Sequence, residues 1–245
     1  MRMKSRIALL VFASLLVGAG TASAQLIPWK DRGFANISFG DQNRATSDTA
    51  AFVFSLYEED GVVSAANATP GGSFLDILAG ARLFNNFGVG FQFNTRTATS
   101  TGAVAASVPD PIAYNVPRYT EATVPGLTHK ERWMSLLATY MLPATDRIDV
   151  LLFGGPSVVK VDHAIVTSAT ITEGSTGPVV TVGSDVLSRS VWGFAAGADV
   201  RFMFTKWIGA GAFVRTQLVT VNLLPGNIKV ESGGPQFGAG LRVRF

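Results

Sequence analysis

Gln236-Phe-Gly-Ala-Gly-Leu-Arg-Val-Arg-Phe245 ends the chain on a strict alternation. Phe237, Ala239, Leu241, Val243 and Phe245 share one face of an extended strand, and Gln236, Gly238, Gly240, Arg242 and Arg244 share the other. In a soluble sandwich the apolar face would look inward. In a barrel that crosses a membrane it looks out to lipid, and the arginines point into the lumen. A soluble domain rarely closes on a strand whose last residue is a bare aromatic, so the ending favours the barrel.

The same alternation recurs upstream. Trp192, Phe194, Ala196, Ala198, Val200, Phe202 and Phe204 oppose Gly193, Ala195, Gly197, Asp199, Arg201 and Met203, and a turn at Thr205-Lys-Trp207 leads into Ile208, Ala210, Ala212, Val214 and Leu218. A second hairpin runs through Leu75, Ile77, Ala79, Ala81 and Leu83, turns at Asn85-Asn86, and returns through Phe87, Val89, Phe91 and Phe93. A third joins Arg132–Met141 to Ile148–Val161, with Gly154-Gly155-Pro156 expected as a bulge that switches faces. Adding Gly33–Gly40 gives eight strands. Ala51–Tyr57 also alternates, and Glu58-Glu-Asp-Gly61 reads as a hairpin turn, so region 49–68 is either a surface hairpin or two further wall strands. The fold class is therefore all-β, a closed antiparallel transmembrane β-barrel of eight strands, with ten as the alternative because the count is even when both ends are periplasmic.

Turn lengths set the orientation. The connections near 85, 143 and 205 are short and face the periplasm, whereas those at about 41–72, 99–127, 165–186 and 223–235 are long and expected as exterior loops. Trp29, Phe84, Phe87, Tyr140, Phe204, Trp207 and Phe245 fall at the short-turn edge, where an interfacial girdle belongs. The wall spans 33–245, after a lead-in over 25–32.

Residues 1–24 read as a cleavable export signal. Arg2, Lys4 and Arg6 precede the apolar run Ile7–Val17, and Ala22-Ser-Ala24 offers small residues before Gln25. That run is shorter than the roughly 20 apolar residues a spanning helix needs. Cleavage removes three of the 20 basic residues and leaves 17 against 17 acidic ones, so the formal charge of +3 belongs to the signal. No basic patch remains to favour nucleic acid. Without cysteine there is no disulfide framework, thiolate metal site or lipid-attached N-terminus. With 47% apolar and 15% charged residues, yet no later run long enough for a spanning helix, the apolar side chains must be spread over strands.

With these residues in place, the chain resembles the small outer-membrane barrels related to the OmpA membrane domain, OmpX and the opacity proteins, the porin-family proteins of Gram-negative envelopes. The resemblance covers nearly all of the mature chain and is most specific at 236–245, at Gly80–Gly90 and at Arg147–Pro156. It implies an outer-membrane location, contact with membrane lipid and lipopolysaccharide, and a C-terminal assembly signal, carried here by Leu241, Val243 and Phe245, that the barrel-assembly machinery reads. It gives no wall-binding domain after Phe245. It constrains function weakly, because such folds host adhesion, transport and enzymes.

An eight-stranded lumen is just wide enough for side chains to fill. Asp76, Arg82, Asp199, Arg201, Arg215, Arg242 and Arg244 are expected to form a structural charge ladder there, with Asp199 diagonally near Arg215. Catalysis is the competing class, since some such barrels are proteases or lipid A-modifying enzymes. Its candidates are His129 and His163, which flank exterior loops and read more simply as surface polar residues without a nucleophile motif. Ser157-Val-Val-Lys160 matches a serine β-lactamase nucleophile spacing but lacks its partner motifs. Gly209 and Gly211 lie in strand alternation, with no following helix to make a phosphate loop. Neither a cofactor nor a metal is expected, and the reading is non-enzymatic. Pro109, Pro111, Pro117 and Pro125 around Tyr114 and Tyr119 would stiffen the second exterior loop, as a surface for a ligand or as a cap over the mouth. The alternative to a filled lumen is a narrow OmpW-like passage for small or hydrophobic solutes.

Overall fold

The computed structural model describes residues 28–175, 177–223 and 228–245. The stretch read as an export signal, the cleavage site expected after it and the first residues of the lead-in lie outside the described residues. Ten strands follow in order: β1 (Gly33–Gln42), β2 (Thr46–Leu56), β3 (Glu59–Thr69), β4 (Gly72–Phe84), β5 (Phe87–Pro109), β6 (Pro117–Pro143), β7 (Ile148–Gly174), β8 (Gly177–Met203), β9 (Ile208–Leu223) and β10 (Ile228–Arg244).

Eight of them close a ring. β1 pairs with β4 on one side and β10 on the other, and the remaining wall runs β4-β5-β6-β7-β8-β9-β10, every pair antiparallel. Closure removes the exposed sheet edges that an open sheet would carry. The ambiguous region 49–68 is a surface hairpin: β2 pairs with β3, and β3 joins the upper part of β5 over Val62–Ala66. Its turn sits at Tyr57-Glu58, both at positive φ, so Gly61 lies within β3 instead of in the turn. Two successive residues at positive φ match the twist of a tight hairpin.

Alternation places the apolar side chains outside. Phe39, Phe91, Leu136, Trp192, Phe194, Val200, Phe202, Val214, Leu218, Phe237, Leu241 and Phe245 are all exposed, and Val243 beside them is half-buried. This band stops abruptly at its upper edge. The next outward positions are Asp41 above Phe39, Ser73 above Leu75, Arg132 above Met134 and Lys160 above Val158. At the lower edge Phe84, Phe87, Phe204, Trp207 and Phe245 are exposed and Tyr140 is half-buried, with Phe87 4.7 Å from the Tyr140 ring.

Trp29 does not join that girdle. It is 3% exposed and packs with Phe34, Leu78, Leu137, Met141, Leu151, Phe153 and Ala195. Its backbone N–H donates to Asn86 Oδ1 at 3.0 Å, and its carbonyl accepts from Arg82 Nη1 at 2.7 Å. Those bonds tuck the lead-in into the lower lumen, where the indole gains a core instead of an interface.

The stretches 99–127 and 165–186 are also not loops. β5 and β6 continue to a turn over 110–116, and β7 and β8 continue to a turn at Ser175. Above the band the polarity of the strands inverts. Val63, Ala65, Val104, Ala106, Val108, Val166 and Val180 point inward and form a second apolar core, against which Phe52, Phe54, Ile171 and Val182 pack. Register shifts at Ser100/Gly102 and Val166/Ser168 mark this change of regime. The upper ribbon is thus built like a water-soluble sheet on top of an inside-out barrel. Part of the fourth stretch, 224–227, lies outside the described residues.

Gly154-Gly155-Pro156 makes no face-switching bulge. β6 pairs Ser135 with Ser157 and Ala138 with Gly154 in one register, and odd-numbered residues of β7 stay inward on both sides. The ladder is interrupted opposite Pro156, which has no N–H to give. A Cβ at Gly155 would stand 2.1 Å from the Leu136 carbonyl oxygen, so only glycine permits this approach of the two strands.

Candidate functional site: the filled lumen

Around mid-lumen the inward positions of the wall strands build three buried ion pairs, with a fourth, Arg96 with Glu131, higher up. Arg242 on β10 donates from Nη2 to Asp199 Oδ1 at 2.8 Å and from Nε to Asp199 Oδ2 at 2.9 Å, a two-pronged contact. Asn36 Nδ2 gives Asp199 a further bond at 3.0 Å, and Ser38 Oγ accepts from Arg242 Nη1 at 2.8 Å. Arg215 on β9 reaches across the lumen to Asp76 Oδ1 on β4 at 2.5 Å, and Gln92 Nε2 donates to the same oxygen at 3.0 Å. Arg201 on β8 pairs with Asp149 on β7. The Phe34 ring lies 5.2 Å from the Arg201 guanidinium, and Phe74 and Phe213 lie 5.1 and 4.8 Å from that of Arg215. Each charge therefore meets an opposite charge or an aromatic face, as burial requires.

The pairing differs from the diagonal contact expected between Asp199 and Arg215. Asp199 is in register with Phe213, and Arg215 spans the lumen to β4. In so narrow a barrel the opposite wall is within reach of a guanidinium. Arg82 lies at the lower end on the Trp29 carbonyl, and Arg244 at the lower rim sits 3.4 Å from Asp149 and 3.7 Å from Asp31.

Higher in the lumen is a polar group that the alternation could have revealed. His129, Glu131, Trp133, Ser135 and Leu137 form one inward series along β6, all at 0–1% exposure. His129 and His163 are register partners on β6 and β7, both fully buried, and not the surface residues their loop-flanking positions suggested. Their Nδ1 atoms lie 2.9 Å apart. His129 Nε2 is 2.8 Å from Glu131 Oε1, and His163 Nε2 is 2.8 Å from Asp48 Oδ1 on β2. Glu131 also accepts from Trp133 Nε1 at 3.0 Å and from Arg96 Nη1 at 3.3 Å.

All four imidazole nitrogens are thus engaged with each other or with carboxylates, which leaves neither ring poised beside a hydroxyl to activate. Ser157 is buried and bonded to Ser135 Oγ at 2.7 Å, while Lys160 is exposed on the opposite face, so the Ser157–Lys160 spacing assembles no nucleophile and base. Among the described residues no cluster of His, Asp and Glu has a geometry that could hold a metal ion.

No family model matches the chain. No curated protein matches it either. Solved structures of small outer-membrane barrels do. OprG from Pseudomonas aeruginosa is 13% identical, covering 88% of this chain and 97% of its own, with a TM-score of 0.45. Neisserial surface protein A is 12% identical over 87% of this chain and 97% of its own, with a TM-score of 0.44. The outer-membrane protease OmpT from Escherichia coli is 10% identical over 91% of this chain and all of its own, with a TM-score of 0.38.

At the far end of the upper ribbons, three tips are tied together. Arg118 on β6 forks onto Glu173 on β7 at 2.5 and 3.0 Å and approaches Asp110 at 3.5 Å. The Tyr57 hydroxyl reaches Glu173 at 3.3 Å, and the Asn115 N–H donates to Glu59 at 3.0 Å. The bond from Arg118 holds the Glu173 carboxyl below its ordinary value, and the N–H groups of Ile112 and Ala113 do the same for Asp110. Carboxylates lowered in this way stabilise the tip at neutral pH and lose that contribution as pH falls through the lowered values. Exposed pairs of this kind contribute little to global stability. Glu173→Gln is therefore expected to leave thermal unfolding unchanged but to speed protease nicking within 110–116. An unchanged nicking rate would count against the tie.

Proposed function

We propose that this chain is an integral outer-membrane β-barrel of a Gram-negative envelope, non-enzymatic, with a lumen sealed by side chains and an exterior sheet that serves surface interaction or envelope reinforcement. The observation that carries this reading is the packing at mid-lumen. The cavity enclosed by Asn36, Asp76, Gln92, Phe153, Asp199, Arg215 and Arg242 amounts to about 10 Å³, room for at most a single water. A pathway for solutes would need a continuous space many times larger.

The membrane location is supported by the exposed apolar band, which would be untenable in water as a belt of Phe, Leu, Val and Trp around the whole ring. Its abrupt upper boundary at Asp41, Arg132 and Lys160, and its lower aromatic edge, support hydrocarbon as the solvent between them. The orientation with both termini periplasmic rests on the short turns and the lower aromatic edge lying at the same end. Contacts with lipopolysaccharide, with assembly factors that would engage Leu241, Val243 and Phe245, and with a surface ligand belong to the same proposal.

Refolded protein in a planar bilayer is expected to be electrically silent. Discrete conductance steps would overturn the sealed lumen and favour the narrow OmpW-like passage. Turnover of lipid A or of a peptide, lost in His163→Ala, would favour an enzyme instead.

A further inference from the structure

The His129–His163 contact contains a proton count. Both Nε2 atoms face carboxylate oxygens at 2.8 Å, and carboxylates accept, so both Nε2 atoms carry hydrogen. The two Nδ1 atoms face each other at 2.9 Å, a bond that needs one hydrogen between them and admits only one. Two rings with three protons carry a single positive charge. Asp48 and Glu131 bring two negative charges and Arg96 one positive, so the buried group sums to zero only in this state.

A fourth proton would set two N–H donors face to face without an acceptor and leave an uncompensated charge where both imidazoles are fully buried. Removing the third would leave two lone pairs opposed. The rings cannot part with their strands, because His129 and His163 are register partners in the wall. The yielding side is Asp48. It sits on β2, which in the sheet order pairs with β3 alone, and its carboxylate also accepts from Asn67 Nδ2 at 3.2 Å on β3.

We propose that His129 and His163 share one proton at neutral pH, and that this shared state is a latch fastening the foot of the β2–β3 hairpin to the barrel mouth, released when a second proton is taken up. Among the described side chains, the charged groups facing the pair are Asp48 from β2, Glu131 from β6 and Arg96 from β5. On the outer faces of β6 and β7 stand Lys130, Arg132, Lys160 and Asp162, of which Arg132 and Asp162 are paired at 2.7 Å. On β8 two exposed charges flank Leu187, the partner of His163: Arg189, in register with Val161, and Asp185, in register with Ile165. None of the outer groups lies between the rings and Asp48. The upper part of the hairpin stays packed through Phe52, Phe54 and Leu56, so the release is confined to its foot.

The chain holds only two histidines, which makes the test direct. In the full-length mature protein in lipid nanodiscs, ¹⁵N spectra of the imidazoles are expected to show coupling between the two Nδ1 atoms across the hydrogen bond at neutral pH. That coupling should vanish once acidification puts a hydrogen on both Nδ1 atoms. Over the same acidification, protection of the amides at 47–51, taken relative to their intrinsic exchange rate at each pH, should fall at least about ten-fold while that at 200–203 is unchanged. His163→Gln should abolish the pH response of 47–51. Absence of the coupling in the wild-type protein at neutral pH would overturn the shared proton. Protection at 47–51 that ignores pH, or falls equally in His163→Gln, would overturn the latch.

Discussion

Asp199→Ala is expected to lower the temperature at which the folded band is lost in detergent gels more than any single substitution on the barrel's outer polar surface. Arg242 is 1% exposed and spends three hydrogen bonds on that one carboxylate. Removing the acid leaves a guanidinium in a narrow lumen whose remaining hydrogen-bond acceptors are Ser38 Oγ and the Leu241 carbonyl. Breaking a buried pair from one side costs about 3–5 kcal/mol, most of it the uncompensated charge and not the lost attraction. The double variant Asp199→Ala with Arg242→Met removes both charges and is expected to recover much of the loss. A single variant that melts with the wild type would show the lumen to be wet enough to solvate a lone cation, and the sealed reading would fall with it.

The second large effect compares two valines of equal exposure in different surroundings. Val214 is 61% exposed in the apolar band of β9, and Val186 is 58% exposed on β8 above the upper edge of that band. An arginine placed in hydrocarbon on an outer-membrane barrel costs about 2–4 kcal/mol near the midplane and close to nothing outside the membrane. Val214→Arg should therefore shift folding titrations in lipid vesicles by that amount, while Val186→Arg should leave them within experimental scatter. Equal tolerance at both positions would mean that the band does not face lipid, and the membrane assignment would fail with it.

The strands whose outer face meets one solvent throughout were readable from the sequence alone. β10, the lower part of β8 with β9, and the β4–β5 hairpin all carry unbroken alternation, and the register pairs Phe39 with Ala239 and Ile77 with Phe93 on the apolar side. The upper halves of β5 to β8 were not readable because they invert that code. Thr101, Ala103 and Ala105 face out where Phe91 and Phe93 did lower down, and valines turn inward, so a search for outward apolar residues meets only noise. Asp149 and Glu131 escaped for a related reason. Glu131 lies near the boundary of a stretch read as loop, and Asp149 opens the strand whose Gly154-Gly155-Pro156 suggested a face switch that the backbone does not make. Trp29 was misplaced because sequence proximity to the lower edge says nothing about whether a lead-in runs along the rim or folds under it. The partners of the buried arginines depend on which wall faces which, and that is a property of the closed ring, not of any strand.

The inversion of polarity along the upper strands also sets a height. From Ala164 to Gly174, β7 continues past the latch at about 3.3 Å per residue, and with a tilt of about 40° it rises roughly 28 Å further. In an embedded barrel the tip carrying Ile112, Tyr114 and Tyr119 would stand clear of the lipid headgroups on a pedestal with its own dry interior. A bulky visitor could then dock on that tip without ever touching the bilayer, and pulling on the tip would load the pedestal's hydrogen-bonded ribbons before it reached the wall.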